Sequence, residues 1–242
     1  MTRIAICYWG MTRSTKHVFY THLRHLHQVL KDQGVAFHVF MHTWKTENTA
    51  NVIWEHNSDI PVDYEEYKLL NPDFYKIESQ DAFLDTIRFA DYFDRELYVK
   101  HGGDSEHEWR PQLIRNHLCA LESQKRVYRM VKESGGEYDY IMYIRPDVFV
   151  TNDFDVVCLN TPFDILIPSY GHYEGYNDRF AVVPFHMAEK YSTRIDEIVE
   201  FRKTCGRIVS EKYVKHVVEK YYPNVQFIDF VMKIIRPNGW EA

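Results

Sequence analysis

The chain has 242 residues, 45% of them hydrophobic, a net charge of -6 and a pI near 6.1. That apolar content suffices for one large α/β core and excludes a disordered chain. No basic tail or Lys/Arg block occurs, so the counterion-release term that dominates nucleic-acid binding has no source, and nucleic acid is not an expected partner.

Residues Ile4 to Trp9 read as a buried strand, and Gly10 lets the backbone turn. From Ser14, an N-cap type, apolar residues fall at Phe19, Leu23, Leu26 and Leu30, the spacing of one helix face, and Gly34 stands where a C′ residue belongs. A second strand, Val35 to Met41, completes a βαβ unit, which predicts parallel strands and a right-handed crossover. Within the helix, His22 and His25 lie one turn apart beside the apolar stripe, which reads as a polar helix face rather than a metal site.

Residues 45 to 110 hold polar loops and a helix expected from Asp81 to about Tyr98, and are taken as an insertion over the sheet. A long amphipathic helix follows, from Pro111 to about Lys132, with Leu113, Ile114, His117, Leu118 and Leu121 on one face. It feeds the apolar strand of "YDYIMYIRPDVFV", which runs out onto Arg145, Pro146 and Asp147. Short strands are expected at Phe163 to Pro168 and Arg179 to Pro184, flanking the loop "SYGHYEGYND". Helices from about Phe185 to Lys203 and from Ser210 to Tyr221 follow, and "VQFIDFVMKIIRPNG" closes as a strand or hairpin. No repeat, low-complexity tract or linker interrupts the pattern, so a single domain spanning 1–242 is expected.

Cys7, Cys119, Cys158 and Cys205 lack C-x-x-C or zinc-finger spacing and read as reduced thiols. No apolar run reaches about 18 residues, so no membrane span is expected and the chain reads as soluble and cytoplasmic. No G-x-x-x-x-G-K-[ST] or G-x-S-x-G is present, and "YWGMTRSTKH" has one Gly where a dinucleotide fingerprint needs three. P-loop, α/β-hydrolase and Rossmann-cofactor readings lose ground accordingly.

In open α/β sheets, ligands settle beyond the carboxyl ends of the parallel strands, which would bring "YWGMTRS", "HTW" and "RPDVFV" to one crevice. A lone carboxylate such as Asp147 can hold Mg²⁺ or Mn²⁺ there, with substrate phosphates as further ligands and Arg13 or Arg145 sharing the charge. Equally, X-Pro-Asp is a common way into a turn, and Asp147 reads as well as a strand exit.

The segments "YWGMTRS", "FHVFMHTW", "RPQLIRNHLCALESQKRV", "YDYIMYIRPDVFV", "GYNDRFAV", "SEKYV" and "IIRPNG" together resemble GT-A-type glycosyltransferases of a group found in viruses, algae and bacteria. In that group a strand ending in R-P-D stands where other members carry D-x-D. The resemblance implies a GT-A (Rossmann-like) α/β fold with a mixed, mainly parallel sheet flanked by helices. It also implies a UDP- or GDP-sugar donor, a glycan acceptor, Mn²⁺ or Mg²⁺ as cofactor, and a host-cytoplasm location if the source is viral. By position, Tyr8, Gly10, Thr12 and Arg13 would border the nucleoside and phosphates, with Thr43 nearby, and Asp147 would be the metal ligand. Arg145 stands where the first Asp of D-x-D belongs.

The loop "YEGYNDRF" looks like the acceptor-side segment of inverting members, which makes Asp178 the general base; an Asn-Asp turn with Arg179 in a surface ion pair is the structural alternative. Arg236 is either a turn residue or a second cation for the diphosphate, and Gln112 and Asn116 could reach the nucleotide from the long helix. Glu211 beside Ser210 is accounted for by the helix dipole, with acceptor contact as a lesser role. Trp9, Trp44 and Trp109 suit ring stacking or core packing. A catalytically silent sugar-nucleotide or glycan-binding domain, and a nucleotidyltransferase, are the rival functions.

Overall fold

A computed structural model describes residues 1–47, 61–96 and 111–241. Strand β1 (Arg3–Trp9) is buried along all but its first residue, and its two faces feed two separate cores. Ala5, Cys7 and Trp9 pack into one, Ile4, Ile6 and Tyr8 into the other. A strand covered on both sides must be apolar throughout rather than alternating, which is what "IAICYW" is.

Strand β2 (Ala36–Lys45) pairs parallel with β1, and β3 (Phe74–Ser79) pairs parallel with β2 at the edge. On the other side of β1 lies β4 (Tyr140–Ile144), also parallel. Beyond it come β7 (Phe180–Pro184), antiparallel to β4, then β6 (Ile165–Pro168), antiparallel to β7, and β8 (Val225–Ile228), parallel to β6. The order is therefore β3-β2-β1-β4-β7-β6-β8, and a separate antiparallel ribbon joins β5 (Val148–Val150) to β9 (Met232–Ile234). The chain leaves β1 for β2 on one side and later adds β4 on the other, so a crevice opens at their shared carboxyl edge.

The predicted βαβ unit is present, but its helix differs from the expectation. After a short turn at Thr15–His17, residues 19–32 run as one helix, α1, whose middle, Leu23–Gln28, is wound as a π-helix. His22, just before the π-helical stretch, and His27 within it join Leu26 and Leu30 inside, while Leu23 is only half-buried. His22 thus leaves the polar face expected for it, and His25 makes a 2.6 Å contact with Asp153.

Part of the segment taken as an insertion joins the sheet as β3, followed by a short helix, α2 (Gln80–Asp85), capped by Ser79, which accepts from the Ala82 amide. The helix expected to Tyr98 ends thirteen residues sooner; Tyr98 and Trp109 lie outside the described residues. The long helix α3 (Pro111–Glu133) covers the first core with Leu118, Leu121 and Val127. The helix expected after Phe185 is broken into α4 (Ala188–Ser192) and α5 (Ile198–Cys205), whereas α6 (Ser210–Tyr221) falls as predicted. The closing segment is no hairpin: β8 and β9 belong to different sheets. All four cysteines are unpaired, and no described helix is long and apolar enough to cross a membrane.

Candidate functional site

A cleft of about 490 Å³ opens at the carboxyl ends of β1 and β4. Its first wall is built from the residues that leave those strands. Gly10, at φ 95°, turns the chain in a conformation that L side chains rarely adopt, and its amide donates to Ser123 Oγ of α3 at 2.8 Å. The following loop is tied to the far end of the sequence: Ser14 Oγ donates to the Ile235 carbonyl at 2.8 Å, and His17 Nε2 bonds the Pro237 carbonyl at 3.1 Å. The Ile235 amide in turn donates to the Asp147 carbonyl at 3.0 Å, which fixes the strand exit.

Asp147 is only 3% exposed. Arg145 grips it with both arms of its guanidinium, Nε to Oδ1 at 2.8 Å and Nη2 to Oδ2 at 2.7 Å, and Arg13 Nη2 stands 3.7 Å from Oδ2. Burial alone would raise the Asp147 carboxyl; the Arg145 charge and its hydrogen bonds, then Arg13 and Arg236, overcome it and hold the group at about 2. Against the opposing pull of burial, Asp147 raises Arg145, and Asp178 and Glu211 add to this from across the cleft. Arg13 is lowered by burial, partly restored by Asp147. Arg236 and Ile234 close this side of the cleft.

Loop 169–179 forms the opposite wall. Asn177, fully buried, organises it: Nδ2 donates to the Tyr170 carbonyl at 3.0 Å and Oδ1 accepts the Arg179 amide at 2.9 Å. This bonding is the predicted Asn turn, and it aims Asp178 and Arg179 into the cleft. The Arg145 amide donates to the Arg179 carbonyl at 3.1 Å, stitching the two walls together below. Gly175 lies against the first turn of α6, where a Cβ would come 1.9 Å from the Glu211 carbonyl oxygen, and the Tyr176 amide donates to that same oxygen at 2.9 Å. Tyr173 has φ 44° and is 76% exposed at the mouth of the cleft. Glu174 is engaged by Arg207 at 2.9 Å and Lys212 at 2.5 Å. Glu211, at the cleft surface, is raised by burial and by the nearby negative charge of Asp178.

The cleft therefore gathers Gly10, Arg13, Arg145, Asp147, Asp178, Arg179 and Arg236 from the residues singled out in the sequence. It does not gather Tyr8, Thr12, Thr43 or Gln112. Tyr8 is fully buried beneath, in a chain of bonds whose direction follows from its end: the Val148 carbonyl only accepts, so His22 Nε2 donates to it at 2.6 Å. His22 Nδ1 then accepts the Tyr8 hydroxyl at 3.2 Å, and Tyr8 accepts from His27 Nε2 at 3.1 Å. Both imidazoles are neutral in this chain, consistent with burial lowering His22 to about 4 and His27 to about 3. Thr12 and Thr43 are buried, and Gln112 donates to Asn116, which does line the cleft. Trp9 and Trp44 line it too; Trp44 is held by stacking on Phe83 and by donating to the Cys119 carbonyl at 2.9 Å. His117, read in the sequence as part of an apolar face, reaches the cleft, and burial lowers it to about 3. Tyr173 was not singled out within the loop "SYGHYEGYND"; its place at the cleft comes from the loop's shape.

The side chains around Asp147 fit a resident Mn²⁺ or Mg²⁺ poorly. Such ions want carboxylate oxygens at about 2.0–2.1 Å for Mg²⁺, and both Asp147 oxygens already accept Arg145. A dication there would also stand against the Arg13 and Arg145 guanidiniums. Among the described residues, no three His, Cys, Asp or Glu side chains converge to outweigh that repulsion.

No protein-family profile matches the sequence, and no curated protein sequence matches it. Among solved structures, the chain is similar to core-mannan synthase A of Aspergillus fumigatus in its Mn/GDP form, with a TM-score of 0.52 and 9% identity over 97% of this chain and 75% of that one. The apo-form glycosyltransferase GlyE of Streptococcus pneumoniae (TM-score 0.38, 10% identity, 93% of this chain and 45% of that one) is a looser likeness. So is the galactosyltransferase LgtC in complex with donor and acceptor sugar analogs (0.37, 11%, 93% and 73%). What the first comparison shows is the fold. A mixed, mainly parallel sheet flanked by helices, in the GT-A (Rossmann-like) arrangement, is the class that the sequence predicts.

Proposed function

We propose that the chain is a glycosyltransferase, moving a hexosyl or pentosyl unit from a UDP- or GDP-sugar to a hydroxyl of a glycan acceptor with inversion. The observation that carries this is the division of charge across one cleft: guanidiniums surround Asp147 on the strand-end wall, and Asp178 projects from the loop wall. A leaving nucleoside diphosphate is an anion and seeks the first wall; an incoming hydroxyl must lose a proton and needs a base such as the second offers. The fold likeness to a protein whose structure is a Mn/GDP form supports a nucleotide in this crevice.

In the reaction, the acceptor oxygen bonds to the anomeric carbon as the bond from that carbon to the phosphate oxygen breaks. The electron pair leaves with the nucleoside diphosphate toward Arg13, Arg145 and Arg236, and Asp178 takes the hydroxyl proton. Gly10, with no side chain, leaves its backbone open to close approach. Arg179 stands next to the base and would steady the acceptor side. The Asp147 surroundings do not suit a metal, so the guanidiniums carry the charge of the leaving group.

The test is a panel of UDP- and GDP-sugars incubated with the protein and simple glycoside acceptors, read as nucleoside diphosphate released. Release with a particular sugar supports the reading. Formation of UTP or GTP and a sugar 1-phosphate on adding pyrophosphate would favour the nucleotidyltransferase, and binding with no turnover of any donor would leave the silent binding domain.

A further inference from the structure

We infer that this cleft takes the diphosphate of its ligand without a divalent cation, the guanidiniums of Arg13, Arg145 and Arg236 replacing the metal and Asp147 serving as their counter-charge. The inference rests on the reading of the ligand as a nucleoside diphosphate, and adds how that ligand is held.

Three observations lead to it. First, both Asp147 oxygens are committed to one guanidinium in fork geometry, the same geometry with which arginine binds a phosphate. Second, Arg145 and Arg13 stand 2.7 and 3.7 Å from the Asp147 carboxylate and Arg236 lines the same wall, so cationic side chains already occupy the surroundings that a dication would need. Third, these groups are set in place by backbone rather than by a ligand. The Arg145 amide is fixed to Arg179, the Ile235 amide to Asp147, and the Arg236 amide donates to the Trp240 carbonyl at 2.8 Å. A site whose cations are positioned before the anion arrives has low reorganisation cost on binding.

Asp147 then acts as an internal stand-in for the ligand. When a diphosphate arrives, the Arg145 fork turns from carboxylate to phosphate oxygens; when it leaves, Asp147 takes the fork back. The carboxylate competes with the ligand, so removing its charge should tighten binding. If Asp147 were a metal ligand, the same change would abolish it. The two roles predict opposite signs.

Calorimetric titration of UDP and of GDP into the whole protein, in EDTA and again with excess Mn²⁺, decides the matter. For the nucleotide that binds better, Kd is expected to agree within about threefold between the two buffers, well under the factor that a lost charge-assisted contact produces. Asp147→Asn should tighten binding in EDTA, and Arg145→Ala should weaken it by at least about tenfold in both buffers. The wild-type comparison needs no variant to fold. Binding seen only with Mn²⁺, or lost in Asp147→Asn while that variant keeps its native circular dichroism, overturns the inference and leaves glycosyl transfer standing. Absence of binding by either nucleotide in both buffers overturns both.

Discussion

The two walls of the cleft are built on different principles. The strand-end wall is a set of buried charges at the ends of central strands, each group satisfied by another and by backbone. The loop wall is held by shape: a buried Asn177, a glycine pressed onto α6, and a tyrosine in a left-handed conformation that carries its ring outward. The first wall suits a ligand group that never varies, such as a diphosphate, because moving any one charge strands the others. The second can be reshaped residue by residue without touching the first, which suits the side that must recognise a particular acceptor.

Acid should damage the first wall most. His22 and His27 lie behind it, His117 beside it, and all three stay neutral in the fold down to between about 3 and 4. The unfolded chain protonates them near 6.5, so it binds more protons below that pH and stability falls as pH drops. Each contributes about 1.4 kcal/mol lost per pH unit in that window. Urea midpoints should therefore decline steeply from pH 6 to 4.5, and a flat profile would show that these imidazoles are charged or exposed. The next effect is on chemistry alone. Asp178→Asn should cut transfer by about 100-fold or more while leaving nucleotide affinity unchanged, separating loop wall from strand-end wall in one variant. Parental transfer rates in that protein would place the base elsewhere.

Gly175→Ala tests shape. Its methyl group meets a backbone oxygen that cannot step aside, so the loop must lift from α6 and give up the Tyr176 hydrogen bond, at a cost of about 1–3 kcal/mol. Chemical unfolding checks the cost, and UDP or GDP titration should show the strand-end wall undisturbed. The smallest change is a gain. Tyr173→Gly removes the left-handed strain of an exposed residue and should stabilise by about 1 kcal/mol, raising Tm by a few degrees. An unchanged or lower Tm would mean that the ring supports the loop.

Much of the fold was legible because burial on both faces writes itself as continuous apolar runs. β1, β2, β4, β7 and the long α3 all follow from such runs or from a 3.6-residue stripe. The strand-end wall was legible only in part: spacing alone read Asp147 equally as a carboxylate at the crevice and as an entry to a turn, and the family resemblance decided between them. What escaped was whatever depends on a non-local partner. His22 was read as part of a polar helix face although it is buried and bonds Val148, 126 residues away, a partner with no local sign. Tyr8 was placed at the ligand by the family resemblance, but the alternation of β1 sends its ring to the α1 side. The closing segment was read as a strand or hairpin because no local signal says that the partner of β9 is β5. The loop wall was legible only at "NDR", whose Asn forms the turn its type suggests; neither Gly175 nor Tyr173 announces what it touches.

The clasp between Ser14 and Ile235 spans 221 residues of chain. Closing so long a loop is slow, and the central strands have nearer partners to find first. The sheet can thus be complete while the strand-end wall of the cleft is still open. Hydrogen exchange would see that order reversed: the amide of Ile235 should open at far lower cost than those of β1, and bound nucleotide should slow it first.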